Sequence, residues 1–238
     1  MKTHAWQRTT LALLFLPVLY IMSIYYGFDA MYIASMLVYV SIAITITSGY
    51  HRYFSHASYE CSKFWQFTYA FIGTASLNSS PVEWASVHIA HHRHSDTPLD
   101  PYDSTWRQFF KFKNRTHVSV SKFLLPLLRS RMHRFFINHS ATIALIVATC
   151  LLIVSLKAFL FLYFLPVSAY LFTSYTHNIL AHTGNKPRDN YFLEIFIPMM
   201  GEWIHASHHA NPKQKYYSDK VYLDFGGLFI RLIQNDSK

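Results

Sequence analysis

Three groups of histidines carry the chemistry of this sequence. His88, His91 and His92 stand at i, i+3 and i+4 within Trp84–Asp96 (WASVHIAHHRHSD). On a helix those positions share one face, about 5–6 Å apart at Cβ, so three imidazoles converge on one or two metal ions. The spacing recurs in Gly201–His209 (GEWIHASHH), where His205, His208 and His209 take the same places. A third group, Gly49–His56 (GYHRYFSH), sets His51 and His56 five residues apart. Five residues turn a regular α-helix by roughly 140°, so the pair is expected to serve two sides of a binuclear site. Neutral imidazole is the commonest metal ligand near neutral pH. One His-x-x-His-His alone is equally well read as a basic helix face. Two of them plus His-x4-His, among fifteen His and only twelve acids, point to a metal site. No thiolate motif joins it, since Cys61 and Cys150 are both expected free. An imidazole-rich set suits iron, zinc or copper.

The elements that position these groups can be read from composition. Of 238 residues, 52% are hydrophobic and 14% charged, which places the chain among membrane proteins. Residues 10–28 and 31–49 each match the ~20 needed to cross a bilayer. A signal peptide is disfavoured for the first, because no small-residue cleavage site follows and a second span comes at once. A further apolar block, 141–176, is interrupted only by Lys157 and reads as two spans, about 141–156 and 158–178, with a hairpin near Ser155–Lys157 and a kink at Pro166. Ser80, Pro81 and Glu83 write a capping box at the start of the helix bearing His88. Phe64–Ser80 reads as interfacial or re-entrant, and Tyr191–Met200 and Phe225–Ile233 as surface-docked. The expected fold is all-α: one membrane domain over residues 1–238, four transmembrane helices in two hairpins, and a helical cap from about 50–140 and 183–238.

Between residues 50 and 140 lie eleven Lys and Arg. The positive-inside bias therefore puts both termini and the cap in the cytosol, of a bacterial inner membrane or the endoplasmic reticulum, with the tips at Asp29 and Lys157 outside. All the histidine groups then fall on one side. The net charge of +9 comes without any nucleic-acid motif. It reads as anchoring to anionic lipid or as docking of an acidic electron carrier.

In this order and setting, GYHRYFSH, EWASVHIAHHRHSDTPLDPY, NILAHTG, GEWIHASHH and the closing LFIRLI resemble the membrane-bound fatty acid desaturases, most closely the acyl-CoA Δ9 (stearoyl-CoA-type) branch. The similarity runs from about Thr45 to Leu232. The resemblance implies two irons held by nine histidines: His51, His56, His88, His91, His92, His182, His205, His208 and His209. Zinc is a purification substitute. It implies Asn178 reaching an iron through a water, and no catalytic residue beyond the ligands. An Asn and a His at i, i+4 near the end of an intramembrane helix have their own warrant, since such groups are costly unless they face a polar site. Asp96, Asp100 and Glu202 lie close to ligands in sequence and are candidates to accept the imidazoles' second N–H. Along the acyl chain the resemblance places Trp84, Ser174, Tyr39 and Ala43. His177 is read as structural, and His4, His94, His117, His133 and His139 as residues that lie behind the ligands or on the surface. Two departures stand out. Ser86 and Val87 replace an Arg and an Asp that contact the CoA head group in the animal enzymes, leaving acyl-lipid and acyl-carrier-protein substrates open. The box GEWIHASHH replaces GEGxHNxHH, implying a differently shaped loop around His205.

The expected activity is O2-dependent introduction of a cis double bond, Δ9 by resemblance, into a saturated acyl chain. Electrons come from an external donor such as ferredoxin or cytochrome b5, because no dinucleotide fingerprint is present. The alternatives are a di-iron hydroxylase or decarbonylase and, in another class, a membrane metal-binding or transport protein.

Overall fold

The structure, a computed structural model, describes residues 5–102, 105 and 121–235. His4, His117 and four of the basic residues, Arg107, Lys111, Lys113 and Arg115, lie outside them. Eleven α-helices are described: α1 (Ala5–Tyr26), α2 (Met31–Ile44), α3 (Lys63–Ala75), α4 (Pro81–His94), α5 (Leu125–Arg129), α6 (Arg131–Val154), α7 (Leu156–Phe159), α8 (Leu165–Leu180), α9 (Tyr191–Phe196), α10 (His205–Ala210) and α11 (Phe225–Ile233).

Among the described residues, four continuous helical stretches are long and apolar enough to cross a membrane: Arg8–Tyr26, Met31–Ser55, Arg131–Val154 and Leu156–Leu180. They stand in two hairpins, as the hydropathy predicts, but their ends differ. The third begins at Arg131 rather than near 141. Its first turns, RMHRFFINH, carry charge on a helix that continues out of the apolar slab, bending where His139 leaves helical geometry (φ −120°). The hairpin tips are built by short polar side chains. Asp29 Oδ1 accepts from Met31 N at 2.9 Å, and Ser155 Oγ accepts from Ala158 N at 2.9 Å. Lys157 Nζ donates to Asp29, tying the two tips together. Pro166 causes no kink inside a helix. A π-helical stretch, Leu160–Phe164, precedes it and α8 restarts with proline in its first turn, where the missing N–H costs nothing.

The second crossing changes character at its end. After Ile44 the chain runs as a π-helix from Thr45 to Ser55. A π-helix closes i→i+5 hydrogen bonds, so residues five apart stack almost over one another. This stretch is buried on nearly every side, with α4, α3 and α11 against it. Gly49 allows the approach of α3, since a Cβ there would stand 2.3 Å from the Tyr69 ring. Along the membrane spans, α1 and α2 both pack on α8. Packing without solvent to drive it relies on close van der Waals contact, and Ala12, Ala43 and Leu171 in that seam are at most 1% exposed. On α3, Phe64 and Phe67 face outward, as do Phe192 and Phe196 on α9.

Candidate metal centre

The π-helix, α4, the end of α8 and α10 bring nine imidazoles together. They divide into two groups: His51, His56, His88, His92 and His208 in one, and His91, His182, His205 and His209 in the other. Within each group the ring nitrogens that could bind a metal lie within 4.8 Å of one another. The two HxxHH segments are divided alike. The i, i+4 pair of each stays in one group and the i+3 member crosses to the other, so each of α4 and α10 reaches both positions. The opposed directions expected for His51 and His56 do not occur. The π-helical pitch brings them to one side, edge to face with ring centroids 5.1 Å apart, and both enter the five-membered group.

The hydrogen bonds of the donor set orient its ring nitrogens. Ring Nδ1 of His51 lies 2.7 and 2.8 Å from the two Glu202 carboxylate oxygens. Nδ1 of His91 is 2.9 and 3.0 Å from Asp100, and Nδ1 of His182 is 3.1 and 3.2 Å from Asp96. A carboxylate accepts only, so each of these Nδ1 atoms donates and each Nε2 carries a bare lone pair. Those Nε2 atoms point at other Nε2 atoms: His51 to His208 at 2.8 Å, His182 to His205 at 2.7 Å. His56 and His92 each approach His88 at 3.0 Å, His92 approaches His208 at 2.9 Å, and His209 approaches His205 at 3.1 Å. Lone pairs converging at this spacing repel unless a cation sits among them. The two groups fit a metal ion each.

Electrostatics agree. Burial, reinforced by neighbouring imidazoles, pushes the pKa of His88, His205 and His208 well below its ordinary value. For the same reason His56 falls to about 2 and His209 to about 3. These rings are neutral at pH 7, the state in which imidazole binds metal. Burial alone would raise Glu202, but His51, its hydrogen bond and Arg52 outweigh it and hold the carboxyl below its usual range.

Several supporting residues gave no signal in the sequence. Tyr217 hydroxyl lies 2.9 Å from Nδ1 of His208, and the Arg52 guanidinium lies 3.7 Å above the Tyr217 ring. Arg52 is paired with Asp224, Nη2 to Oδ1 at 2.7 Å. Glu194, 1% exposed, accepts from Met199 N at 3.1 Å and Trp203 N at 3.3 Å. Burial pushes its pKa up to about 8. Asp189 accepts from Ser207 N and Oγ and fixes the first turn of α10. The Ser80–Glu83 capping box, by contrast, is present as the sequence predicts.

A narrow cavity of about 40 Å³ adjoins both histidine groups. Its lining includes Trp84, Ser174 and Asn178, together with Arg8 and Tyr170. Trp84 stacks on the His88 ring at 4.9 Å. Tyr39 and Ala43 do not border this cavity. Tyr39 packs behind Tyr170, ring centroids 6.3 Å apart, and Ala43 is buried in the core. His177 belongs to neither metal group. Its Nε2 donates to the Glu202 carbonyl at 2.9 Å, and its ring packs against Trp203 at 4.8 Å, the residue that distinguishes GEWIHASHH. His94 likewise stands outside both groups, as do His133 and His139. Ser86 and Val87 point inward and are buried.

Glu202→Gln tests the carboxylate's part. An amide no longer fixes the His51 tautomer, and outer-shell changes of this kind cost roughly 10–100-fold in metal affinity. Chelator competition on purified protein is expected to show that loss with the helical content unchanged.

No family model matches the chain. Curated relatives do. The sn-1 stearoyl-lipid 9-desaturase of Anabaena variabilis is 26% identical over 200 residues, covering 78% of this chain and 73% of that protein. A probable lipid desaturase of Arabidopsis thaliana is 26% identical over 216 residues, 78% of this chain and 55% of that protein. The acyl-CoA desaturase 1 of Tachysurus fulvidraco is 30% identical over 205 residues, 73% of this chain and 60% of that protein. The chain thus spans between about half and three quarters of the length of these relatives. Four membrane-length helices, nine imidazoles in two groups at their ends and this run of relatives agree: the chain belongs to the membrane-bound fatty acid desaturase family.

Proposed function

We propose that the protein is an O2-dependent fatty acyl desaturase that places a cis double bond, Δ9 by its relatives' names, in a saturated chain. The observation that carries this reading is the pair of converging Nε2 sets beside a cavity lined by Trp84 and Ser174. Methylene C–H bonds are neither acidic nor electrophilic, so no side chain can break them. Two irons, when bound, supply the oxidising chemistry with O2. The protein's own share is positional. Nine imidazoles hold the ions, and Glu202, Asp100 and Asp96 fix the rings that face them. Trp84, Ser174 and Asn178 wall the space where the chain lies, and exclusion of water by the buried surroundings holds one carbon pair in place. In this reading Asn178 reaches a metal through a water, and the chain continues past Tyr170 toward Tyr39 and Ala43.

Electrons come from an external carrier, ferredoxin or cytochrome b5. Arg93, Lys186, Arg188 and Lys213 are exposed on the histidine-bearing side and give an acidic carrier a surface to meet. That side is cytosolic by the positive-inside bias. The substrate class is an acyl-lipid or acyl thioester. The deciding experiment is the fatty acid profile of cells expressing the chain, with and without His91→Ala. New monounsaturated acids, two mass units lighter than their precursors and absent with the variant, are expected. Products sixteen units heavier would mark hydroxylation instead.

A further inference from the structure

Five residues of α9 are aromatic or aliphatic, and the sixth, Glu194, is the one that is buried. A carboxylate so enclosed is costly unless its oxygens are filled. Here backbone alone fills them. Oε1 accepts from Met199 N at 3.1 Å and Oε2 from Trp203 N at 3.3 Å, and the Gly201 N–H also hydrogen-bonds to the carboxyl. Three alternate N–H groups of one loop therefore end on one side chain. The carbonyls of that loop go elsewhere. Met199 O accepts from Thr47 Oγ1 at 3.1 Å, Met200 O from Gly226 N at 3.1 Å and Glu202 O from His177 Nε2 at 2.9 Å. A buried loop must place every backbone polar group, and Glu194 takes these inward donors. The loop is also strained. Met200 and Gly201 stand at φ +61° and +105°, and a non-glycine residue keeps such a conformation only where its surroundings impose it.

We propose that Glu194 is a positioning residue for the metal centre: by gripping the backbone of residues 199–203 it sets the Glu202 carboxylate against His51. Glu202 lies between two of the gripped residues, and its oxygens stand 2.7 and 2.8 Å from His51 Nδ1. Slackening the segment loosens the acceptor that holds the His51 ring toward the metal position. The grip depends on charge. An ionised carboxylate only accepts, and its bonds to N–H groups are roughly twice as strong as neutral ones. A protonated carboxyl brings a donor into a ring of donors. Burial raises the Glu194 pKa to about 8, outweighing the Gly201, Trp203 and Met199 N–H groups that lower it, and Glu202 adds to the rise. Among the described residues, Tyr39 of α2 also stands close, donating to Pro198 O at 3.4 Å. Tyr222, on the turn Val221–Leu223 that packs on α9, is exposed, and Asp224 after it is paired with Arg52. Glu194 therefore changes charge between pH 7 and 9. The ionised form grips harder and adds negative charge near the cation positions, so metal affinity rises with pH through this range. By reciprocity, bound metal draws off the Glu194 proton. The inference rests on the metal reading of the two histidine groups and not on the reaction.

The test follows Zn2+ affinity of the full chain in detergent from pH 7 to 9, by competition with a chelator of known affinity at each pH. Wild-type affinity is expected to rise roughly 5-fold or more, the low end of the usual coupling between two sites. Glu194→Gln keeps an acceptor but has no proton to lose, and its affinity is expected to stay flat at or below the wild-type value at pH 7. Glu202→Gln leaves Glu194 in place but removes the carboxylate it positions, and is expected to cut the amplitude of the rise to less than half. A flat wild-type profile overturns the inference, as does a rise that survives Glu194→Gln. A rise of full amplitude in Glu202→Gln also overturns it, because Glu194 would then act as a distant charge and not through the loop. Where Glu194→Gln does not fold, the wild-type and Glu202→Gln profiles still decide. Zn2+ retained at no pH would remove the metal reading itself, and this inference with it.

Discussion

His182→Ala is expected to abolish desaturation and to lower bound metal by about half, because one of the two imidazole groups no longer closes. The four-membered group keeps His91, His205 and His209 after this change, while the five-membered group is untouched. His182 is also the ring through which the α4 loop reaches the end of α8, by way of Asp96. Its removal leaves the Asp96 carboxylate without the N–H it accepts, and His205 without the neighbour 2.7 Å away. His208→Ala makes the useful contrast. It leaves four imidazoles in its group, so metal content should fall less while activity still suffers. Metal per chain by elemental analysis, beside the fatty acid profile, separates the two. Equal metal loss in both variants would contradict the division into five and four.

That division was only partly legible in the sequence. The HxxHH spacing announces a shared helix face, and the hydropathy announces four crossings with every histidine at the same end. Neither shows which metal position each ring serves, since i, i+3 and i+4 are close enough for either. His51 and His56 depart from the expected opposed directions for a definite reason. Sequence periodicity assumes 3.6 residues per turn, whereas Thr45–Ser55 is π-helical, and a change of pitch leaves no mark in residue type. The carboxylates near ligands, Asp96, Asp100 and Glu202, could be nominated from proximity along the chain. Asp224 could not, because its partner Arg52 lies far away in sequence and nothing local marks either residue.

Asp224→Asn is expected to cost about 3–5 kcal/mol, the usual penalty for leaving half of a buried ion pair uncompensated, and to lower the unfolding temperature by on the order of 10 °C. Arg52 and Asp224 are 0% and 1% exposed at the side chain, so solvent cannot take over the lost charge. Asp224 holds more than the guanidinium. It accepts from Tyr217 N at 2.7 Å and from Gly227 N at 2.8 Å, so it joins the π-helix, the Tyr217 loop and the first turn of α11. Gly201 shows how tightly the pair is enclosed: at φ +105°, a Cβ there would stand 2.4 Å from Asp224 Oδ1 and 2.8 Å from Arg52 Nη2. Disturbance of the pair reaches the metal centre through Tyr217, which lies under Arg52 and against His208, so metal affinity in the five-membered group should weaken along with stability. Removing the cation as well supplies the control. If stranded charge is the cause, Arg52→Met combined with Asp224→Asn should be less destabilised than the sum of the single changes, as thermal unfolding in detergent would register. Strict additivity would mean that the backbone hydrogen bonds of Asp224, and not its charge, hold the π-helix to the C-terminal segment.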